Sequence, residues 1–451
     1  MTGGDALESV LASVRADVDP DEDERRRLQE VADDLLERTE AVVDDLGVDA
    51  DALQVGSTAR GTWVSGDRDI DIFVRFDTEH SRAELERLGL RIGNRVLPEG
   101  REEYADHPYV TGTVQGFAVD LVPCYRVESA AEIESPVDRT PFHTAYLEER
   151  LTPDVAGDVR LFKAFLKGVG AYGSDLRTRG FSGYLTELLV LEYGSFPAVL
   201  RAAADWHPPV RLDPADHGTR TFEDPLVVVD PTDPERNVAA VVAPENVARL
   251  QHYAREFLAA PDPDVFDRRD PAPLTPAGVR AIVDDRGTTP IAIRFAAPDL
   301  VDDQLYPQLR RSLEGLRTGL EDHGFSVLRG SVFADAEAVV LLELSVATLP
   351  AVTRHEGPPV HVGGHARDFL EKYSAAETYG PFIDGDRYVV ERHRSIRTAR
   401  EFVEERLFDV ALGAHVETAL EDGYDVLEGD AVAALAPTFG TELARYFDPI
   451  P

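Results

Sequence analysis

Two aspartates, Asp69 and Asp71, stand two positions apart in a short apolar segment that follows a glycine-serine turn. Residues 69–76 read Asp-Ile-Asp-Ile-Phe-Val-Arg-Phe, an alternation typical of a half-buried β-strand. Because residues i and i+2 of a strand project from one face, the two carboxylates are expected to lie side by side. They would repel each other unless a cation lay between them. Hard divalent cations such as Mg²⁺ prefer oxygen ligands and also bind phosphates, so the segment predicts a magnesium site that handles a phosphorylated substrate.

The turn before this strand is suited to binding a triphosphate. Gly56 and Ser57 could open a helix whose free N–H groups meet phosphate oxygens. Arg60, three residues after Ser57, would share its helical face and could bind phosphates bidentately. The commoner alternative is a helix-capping serine beside a surface arginine. The neighbouring acids favour the first interpretation, and the two features together predict nucleotidyl transfer.

A third carboxylate is needed, because metal-dependent transfer of a nucleotide uses two cations a few ångströms apart. Asp120 is the best candidate, since it lies within the apolar sequence Gly-Phe-Ala-Val-Asp-Leu-Val-Pro at 116–123. A lone acid in a strand is usually an edge residue. Three such acids in one predicted sheet, beside a glycine-serine turn, are hard to explain in that way and favour a two-metal Mg²⁺ site.

The charge of the chain limits its partners and its environment. A formal net charge of −38 normally argues against a nucleic-acid partner. However, the chain has only three lysines, so arginine supplies nearly all of its positive charge. An acid excess with few lysines is associated with cytosolic proteins of extreme halophiles, where molar salt shortens the Debye length to about 3 Å and mutes repulsion. The alternative is an ordinary acidic protein.

The remaining composition indicates a cytoplasmic protein. Cys124 is the single cysteine, which excludes an intrachain disulfide and any multi-cysteine metal site, and it is expected to be a small packing residue. No window approaches eighteen consecutive apolar residues, so no membrane span is expected. The acidic N-terminal residues lack the basic and then apolar order of a signal peptide.

The pattern of apolar residues predicts an α/β (α+β) chain in three parts. Strands at 70–76, 109–114 and 117–123, with a helix at 82–97, predict a mixed α/β catalytic domain. Further on, a strand at 291–295, a helix at 303–323 and two more strands predict an open sheet with a helix on one face, an arrangement often used to bind RNA. The expected domains are a catalytic head at 1–145, a mainly helical neck at 146–262 and a C-terminal body and tail at 263–451.

A local reversal of charge marks residues 160–184, which contain five cations and one acid. The cations are Arg160, Lys163, Lys167, Arg177 and Arg179. In a chain this acidic the cluster favours a polyanionic ligand. A solvated helix face is the alternative.

With these residues in view, the chain resembles the archaeal-type (class I) CCA-adding enzymes, the tRNA nucleotidyltransferases of the polymerase-β-like superfamily. The resemblance covers essentially the full length. It depends on Gly-Ser-Thr-Ala-Arg-Gly-Thr-Trp at 56–63 with the two aspartates that follow, on Arg-Gly-Phe-Ser-Gly-Tyr at 179–184, and on Asp-Pro-Thr-Asp-Pro-Glu-Arg-Asn-Val at 230–238. The first motif indicates only the superfamily, whereas the other two are more specific.

The resemblance implies roles for individual residues. Asp69, Asp71 and Asp120 would be the metal-binding and catalytic carboxylates, although some relatives have glutamate at the first of these positions. Arg236 would help to recognise the incoming base. The full set of implied nucleotide contacts comprises Gly56, Ser57, Arg60, His143, Lys163, Tyr172 and Arg236. A polymerase-β-like head, a helical neck, an RNA-binding body and tail, and a homodimer are likewise implied.

The implied reaction is attack of the tRNA 3′-hydroxyl on the α-phosphate of CTP, twice, and then of ATP, with release of pyrophosphate and no nucleic-acid template. Two alternatives stay open. A poly(A) polymerase or oligoadenylate synthase would share the acids and the glycine-serine turn, but would not stop after three nucleotides. An inactive nucleotidyltransferase fold that only binds RNA is disfavoured because all three carboxylates are present.

Residues 390–400 are predicted to contact tRNA phosphates, because four arginines lie in an otherwise acidic region. They are Arg392, Arg394, Arg397 and Arg400. The alternative is a helix surface on which these arginines pair with Glu391, Glu401 and Glu404.

Overall fold

The computed structural model of the chain describes residues 3–104, 107–267 and 270–451. Two compact units are present, Met1–Arg269 together with Pro451, and Asp270–Ile450. The boundary between them falls inside the proline-rich segment at 261–276. The division of the first unit into a head at 1–145 and a neck at 146–262 stays a prediction.

The first unit combines helices with a mixed sheet. Its helices are α1 (Gly3–Val18), α2 (Glu22–Leu46), α3 (Gly56–Ala59), α4 (Arg82–Val96), α5 (Thr140–Glu148), α6 (Pro153–Gly168), α7 (Gly183–Tyr193), α8 (Phe196–Ala204) and α9 (Pro244–Ala259), with short 3-10 segments at Pro136–Arg139 and Pro263–Phe266. Its strands are β1 (Ala50–Val55), β2 (Asp69–Asp77), β3 (Arg101–Tyr104), β4 (Pro108–Val114), β5 (Phe117–Arg126), β6 (Val210–Leu212), β7 (Leu226–Asp230) and β8 (Asp233–Asn237).

Within the described residues, the first five strands form one sheet in the order β1-β2-β5-β4-β3. The β2 and β5 strands are parallel, and the other neighbours are antiparallel. The predicted strands and the mixed α/β character are confirmed, whereas β1 and β3 were not predicted. The core of this part lies between the sheet and helices α2 and α4. Cys124 is fully buried beside Val55 and Phe73, as expected of a packing residue.

Helices dominate the rest of the first unit, and α1 and α6 to α9 share one apolar core. The proline-rich stretch at 208–234 does not simply interrupt these helices. It contributes to a small sheet in the order β6-β7-β8, in which every residue of Leu226–Asp230 is buried. Strand β7 of this sheet ends at Asp230, which is important for the site described below.

The second unit is also α/β. Its helices are α10 (Pro276–Arg286), α11 (Asp302–Asp322), α12 (Gly363–Ser374), α13 (Ala399–Arg406), α14 (Ala414–Asp422) and α15 (Ala436–Phe447), with short 3-10 segments at Leu407–Asp409 and Gly429–Leu435. Its strands are β9 (Thr289–Ala296), β10 (Ser326–Ala334), β11 (Glu337–Val346), β12 (Val352–Pro359), β13 (Thr378–Asp384), β14 (Arg387–His393) and β15 (Tyr424–Glu428).

The predicted β-α-β-β order is confirmed by β9, α11, β10 and β11, which belong to a sheet in the order β10-β11-β9-β15. The predicted helix on one face is α11, but helices also cover the other face, which was not predicted. Ile291 and Ile293 face a core shared with α11, α13 and α14, whereas Ala292 faces a second core shared with α10 and α15. Because β11 is apolar at consecutive positions, both of its faces need cover.

A second sheet of this unit, in the order β12-β14-β13, packs against α12. Over the described residues, none of the helices combines the length and the apolar character that crossing a membrane requires.

Candidate active site

The three predicted carboxylates lie on the two parallel strands at the centre of the first sheet. Asp71 of β2 is the register partner of Asp120 of β5, and Asp69 is the partner of Ala118. Asp69 and Asp71 therefore share a face of the sheet, with Asp120 alongside. Burial and the charges of Asp120 and Asp69 raise the pKa of Asp71 to about 6. Burial, together with Asp67 and Asp120, also raises the pKa of Asp69. The carboxylates thus form a site of concentrated negative charge.

Gly56 closes one side of this site. Val55 of β1 pairs with Asp71 of β2, and Gly56 follows Val55 directly, so Gly56 lies beside Asp71. Its φ of 79° lies in the left-handed region, and a methyl group added to it would overlap the Asp71 carboxylate. Ser57 follows within α3, which is a single helical turn, and its side chain is half-buried. Glycine at this position lets the chain turn tightly against Asp71.

Arg60 follows α3 and is largely committed to protein partners. Its Nε and Nη2 donate to the two carboxylate oxygens of Glu187, at 3.2 and 2.9 Å, and its Nη1 donates to Thr144 Oγ1 at 3.2 Å. Only 7% of its side chain is exposed. These bonds use three of its five N–H groups. Within the described residues Arg60 makes no other hydrogen bond, so two N–H groups are left for a ligand.

Lys163 meets the same buried carboxylate from helix α6. Its Nζ donates to the carbonyl and the hydroxyl of Thr62, at 3.0 and 3.3 Å, and lies 3.8 Å from Glu187 Oε1. Burial and the charge of Arg60 lower the pKa of Lys163 to about 8, against the attraction of Glu187. Burial alone would raise the pKa of Glu187, but Arg60 and Lys163 outweigh it and lower that pKa.

Tyr172 lies next to these cations. A methyl group at Gly183 would lie 3.3 Å from the Tyr172 hydroxyl and 3.7 Å from Lys163 Nζ, so both groups lie beside this glycine. Lys167 is ion-paired with Asp67 at 2.9 Å, and its Nζ lies 5.4 Å from the centre of the Tyr172 ring. Burial, with the charges of Glu187 and Asp67, raises the pKa of Tyr172, so the phenol stays protonated.

His143 and Arg236 lie in a second cluster, organised by the buried carboxylate of Asp230. His143 Nε2 lies 2.9 Å from Asp230 Oδ2, and Arg236 Nη1 donates to the same oxygen at 2.7 Å. Tyr184 donates to Oδ1 at 3.2 Å, and its ring is stacked on His143 with 3.8 Å between centres. Thr232 donates to Oδ1 through its N–H and its hydroxyl. One carboxylate therefore holds both Arg236, which is predicted to recognise the base, and His143, a predicted nucleotide contact.

The protonation states of this cluster follow from burial and charge. Burial lowers the pKa of His143, and the arginines nearby oppose its protonation while Asp230 favours it. Burial would raise the pKa of Asp230, but its hydrogen bonds from His143 and Thr232 and the charge of Arg236 hold that pKa below its ordinary value. Because the ionised carboxylate only accepts, a neutral His143 must carry its proton on Nε2.

Helix α5 connects the two clusters. His143 contacts Asp230, and the next residue, Thr144, accepts the hydrogen bond from Arg60. Four of the predicted nucleotide contacts are thus brought together in pairs, Arg60 with Lys163 around Glu187 and His143 with Arg236 around Asp230. Of the five cations at 160–184, Arg160, Lys163 and Lys167 contact protein acids, so much of that local charge has internal partners.

The carboxylates fit a divalent cation, although they do not form a closed cage. Over the parts of the chain that the structure describes, no group of three or more histidine, cysteine or acidic side chains is arranged to hold a metal ion by itself. Mg²⁺ does not need such a group, because it is usually bound by one or two carboxylates, water and substrate phosphates. Burial and, after it, the charges of Asp120 and Asp69 raise the pKa of Asp71, and a cation would relieve the repulsive part of this cost.

The four arginines at 390–400 do not share one helix. Arg392 lies in β14 and is exposed, whereas Arg394 follows the strand and donates to the His323 carbonyl at 3.0 Å. Arg397 is exposed in the segment between β14 and α13. Only Arg400 lies in α13, where it pairs with Glu404 at 2.8 Å. The alternative of a helix surface paired with acids therefore describes Arg400 but not Arg392.

Two residues that organise the site, Glu187 and Asp230, were not assigned a role from the sequence. Both are fully buried acids. A signal was present for Glu187, since it is a lone acid within the apolar stretch Leu-Thr-Glu-Leu-Leu-Val at 185–190. The same reasoning had selected Asp120. Asp230 ends an apolar run of the same kind at 226–230.

Models of known families match most of the chain. The nucleotidyltransferase domain matches residues 36–143, the second domain of tRNA nucleotidyltransferase matches 157–267, and the C-terminal domain of CCA-adding enzyme matches 286–429. A solved RNA terminal U-transferase is 15% identical with a TM-score of 0.45, covering 59% of this chain and 99% of that one, a likeness too low to carry an argument.

Closer relatives are CCA-adding enzymes of halophilic archaea. The chain is 59% identical to that of Haloarcula marismortui over 464 residues, which cover 99% of this chain and 100% of the relative. It is 60% identical to that of Halorubrum lacusprofundi over 462 residues, again covering 99% and 100%. The resemblance drawn from the sequence motifs is thereby confirmed. The chain belongs to the archaeal class I family of CCA-adding enzymes, which are tRNA nucleotidyltransferases.

Proposed function

We propose that this chain builds and repairs the 3′ end of tRNA by adding two cytidines from CTP and one adenosine from ATP. The observation that carries the proposal is the pairing of Asp71 with Asp120 on adjacent parallel strands, with Asp69 on the same face, in a chain of this family. The tRNA 3′-hydroxyl would attack the α-phosphate of each nucleotide, and pyrophosphate would leave. Such an enzyme works in the cytoplasm, where tRNA matures.

The three carboxylates would hold the metal ions of the reaction. Mg²⁺ bound by Asp69, Asp71 and Asp120 would supply activation of the attacking hydroxyl and support for the leaving pyrophosphate. The close packing of Gly56 against Asp71 fixes the direction of that carboxylate. Ser57, which follows Gly56, is proposed to bind a phosphate oxygen.

Arg60, Lys163 and Tyr172 are proposed to bind the triphosphate. Arg60 keeps two N–H groups beyond those that Glu187 and Thr144 use. Lys163 is almost completely buried, and a buried cation acts strongly on a phosphate because little water screens it. The protonated phenol of Tyr172 can donate a hydrogen bond beside it.

Arg236 and His143 are proposed to recognise the base. Arg236 is about one third exposed while Asp230 holds one of its terminal nitrogens, so its remaining N–H groups can donate to acceptors on cytosine or adenine. No nucleic-acid template is required, because protein groups and the growing 3′ end would form the pocket.

The decisive experiment is incubation of the protein in molar KCl with Mg²⁺ and a tRNA that lacks its last three nucleotides. We expect two additions with CTP alone and a third only when ATP is also present, resolved at single-nucleotide length. Asp71→Ala should abolish transfer while the circular dichroism spectrum is unchanged. A long adenosine ladder would instead indicate a poly(A) polymerase, and no extension by a folded protein would indicate a binding-only role.

The exposed arginines of the second unit are proposed to bind tRNA phosphates. Reversing Arg392 and Arg397 to glutamate should weaken tRNA binding and reduce its salt dependence by about two phosphate contacts. Arg280→Glu with Arg367→Glu, at two other exposed arginines of this unit, is the matched control for net charge. If the two double variants weakened tRNA binding equally, the proposed contact of Arg392 and Arg397 with tRNA phosphates would be contradicted.

A homodimer is proposed from family membership alone. Light scattering in molar KCl tests it, with an expected mass of twice 49.6 kDa.

A further inference from the structure

Glu187 is a fully buried carboxylate that lies between the two cations proposed to bind the triphosphate. It comes from helix α7, whereas Arg60 and Thr62 follow α3 and Lys163 comes from α6. Its two oxygens accept from Arg60 at 3.2 and 2.9 Å, the Thr62 hydroxyl donates to one of them, and Lys163 lies 3.8 Å away. A single acid thus connects the catalytic sheet to the helices that follow it.

The electrostatics of this arrangement explain why an acid is needed. Arg60 and Lys163 are 7% and 2% exposed, so their like charges repel through a medium that screens them poorly. With Glu187 between them the group carries a net charge of +1. The bidentate bond also fixes the plane of the guanidinium, which determines where its two remaining N–H groups point.

We infer that Glu187 is the positioning residue of the triphosphate site, holding Arg60 and Lys163 in the arrangement from which both meet the nucleotide. This inference rests on the proposed function, because it concerns how that function binds its substrate. Glu187 itself need not touch the nucleotide. Its removal would leave two buried cations without their shared counter-ion, and Arg60 without its fixed orientation.

A purely structural role is the competing explanation, since breaking a buried ion pair destabilises any fold. Glu343 of the second unit provides a matched control. It is also fully buried and accepts bidentately from an arginine, Arg286, at 2.6 and 3.1 Å, with Arg329 at 3.1 Å. Glu187→Gln and Glu343→Gln therefore each remove the charge of a fully buried, arginine-paired carboxylate, although the arginines of Glu343 are more exposed, at 28% each.

The test measures binding of tripolyphosphate in molar KCl with Mg²⁺ by calorimetry, together with steady-state kinetics. For Glu187→Gln we expect the Kd for tripolyphosphate and the KM for both CTP and ATP to rise about tenfold, the loss typical of a disrupted charged hydrogen bond. The KM for tRNA should change less than about twofold, and Glu187→Asp should recover part of the loss. Glu343→Gln should lower stability and leave the Kd for tripolyphosphate unchanged.

A double-mutant comparison shows whether Glu187 acts through Arg60. Arg60→Ala should weaken tripolyphosphate binding, and adding Glu187→Gln to it should cause a clearly smaller further loss than Glu187→Gln causes alone. Additive losses, an unchanged Kd in Glu187→Gln, or an equal rise in Glu343→Gln would overturn the inference.

If Glu187→Gln does not fold, Thr62→Val decides the question. This variant removes only the hydroxyl that contacts Glu187 and Lys163, and leaves every charge in place. It should weaken tripolyphosphate binding about threefold, and wild-type binding by it would refute the inference. Binding of tripolyphosphate needs no tRNA, so these measurements are independent of the CCA-addition assay. That assay is carried out on the wild-type protein and tests the proposed function by itself.

Discussion

The site is built from buried charges that have partners of opposite sign. Glu187 holds Arg60 and Lys163, and Asp230 holds His143 and Arg236. The carboxylates of β2 and β5 differ, because burial and the neighbouring carboxylates raise the pKa of Asp71 to about 6. The paired charges fix the geometry of these side chains, whereas the carboxylates of β2 and β5 are proposed to bind a cation.

Gly56 and Gly61 allow a controlled test of the packing against Asp71. Both have positive φ, 79° and 67°, but an added methyl meets the Asp71 carboxylate at Gly56 and nothing within 4 Å at Gly61. Each alanine variant should lose about 1 kcal/mol of unfolding free energy from backbone strain. Only Gly56→Ala should also lose nucleotide addition, measured with tRNA and CTP. Similar activity in the two variants would contradict this account of Gly56.

His143 should make stability depend on pH. Its folded pKa is lowered mainly by burial, so the unfolded chain takes up a proton at a higher pH than the native protein does. The resulting stability is complete above the unfolded pKa of about 6.5 and is lost as pH falls below it, by at most about 1.4 kcal/mol per pH unit. Asp230, Arg236, Arg139 and Tyr184 face the ring.

Urea unfolding at several pH values in molar KCl measures this effect. His143→Gln should flatten the dependence below pH 6.5, while His361→Gln removes an exposed histidine and serves as the control. If the slope is the same in wild type and His143→Gln, His143 is not the group responsible.

Among the elements, helix α4 depends on two glycines for its close approach to the sheet. A methyl at Gly93 would lie 2.6 Å from Val110 Cγ2, and one at Gly89 would lie 2.6 Å from Pro123 Cβ. The capping box of Ser81 and Glu84 fixes the start of this helix. The apolar pattern of this segment predicted a helix, whereas its two glycines determine how closely the helix packs against the sheet.

Replacing Gly93 by alanine should lower the unfolding free energy by about 1–3 kcal/mol, because the added methyl overpacks the core. Gly364→Ala is the matched comparison, since it lies in α12 with nothing within 4 Å of an added methyl. That variant should be neutral or more stable by up to about 1 kcal/mol. Denaturant unfolding of both variants measures the difference, and destabilisation of both to the same extent would contradict the packing explanation.

Local sequence patterns predicted several strands and helices and the three candidate carboxylates, because strand alternation and turn residues act over a few positions. Asp120 could be selected from its apolar neighbours alone. The partners of Arg60 could not be predicted in this way, because Glu187 lies 127 residues away in the sequence and only the tertiary fold brings it within hydrogen-bonding distance. The apolar residues at consecutive positions in β11 indicated that both faces of the strand are buried. They did not show which helices cover those faces, α11, α13 and α14 on one side and α10 and α15 on the other.

At the scale of the whole molecule, the net charge of −38 makes stability depend on salt. Acidic side chains on the surface repel one another over a Debye length of about 10 Å at 0.1 M salt and about 3 Å at 1 M. Buried pairs such as Arg60 with Glu187 are screened less and should persist at both concentrations.

Lowering KCl from molar to about 0.1 M should reduce the melting temperature by several degrees, since about 1 kcal/mol corresponds to 2–4 °C for domains of 150–250 residues. Scanning calorimetry measures the shift. NaCl at equal ionic strength should act like KCl if screening is the cause, whereas stabilisation by potassium alone would indicate specific ion binding.

The buried Cys124 gives the chain a natural reporter of motion in the catalytic sheet. Burial raises the pKa of this thiol, and the thiolate is the form that reacts with disulfide reagents. Modification therefore requires the sheet to open around β5, the strand that also carries Asp120. The rate at which a thiol reagent consumes this one sulfur measures how often the strands that carry the proposed metal ligands separate, without any label being added.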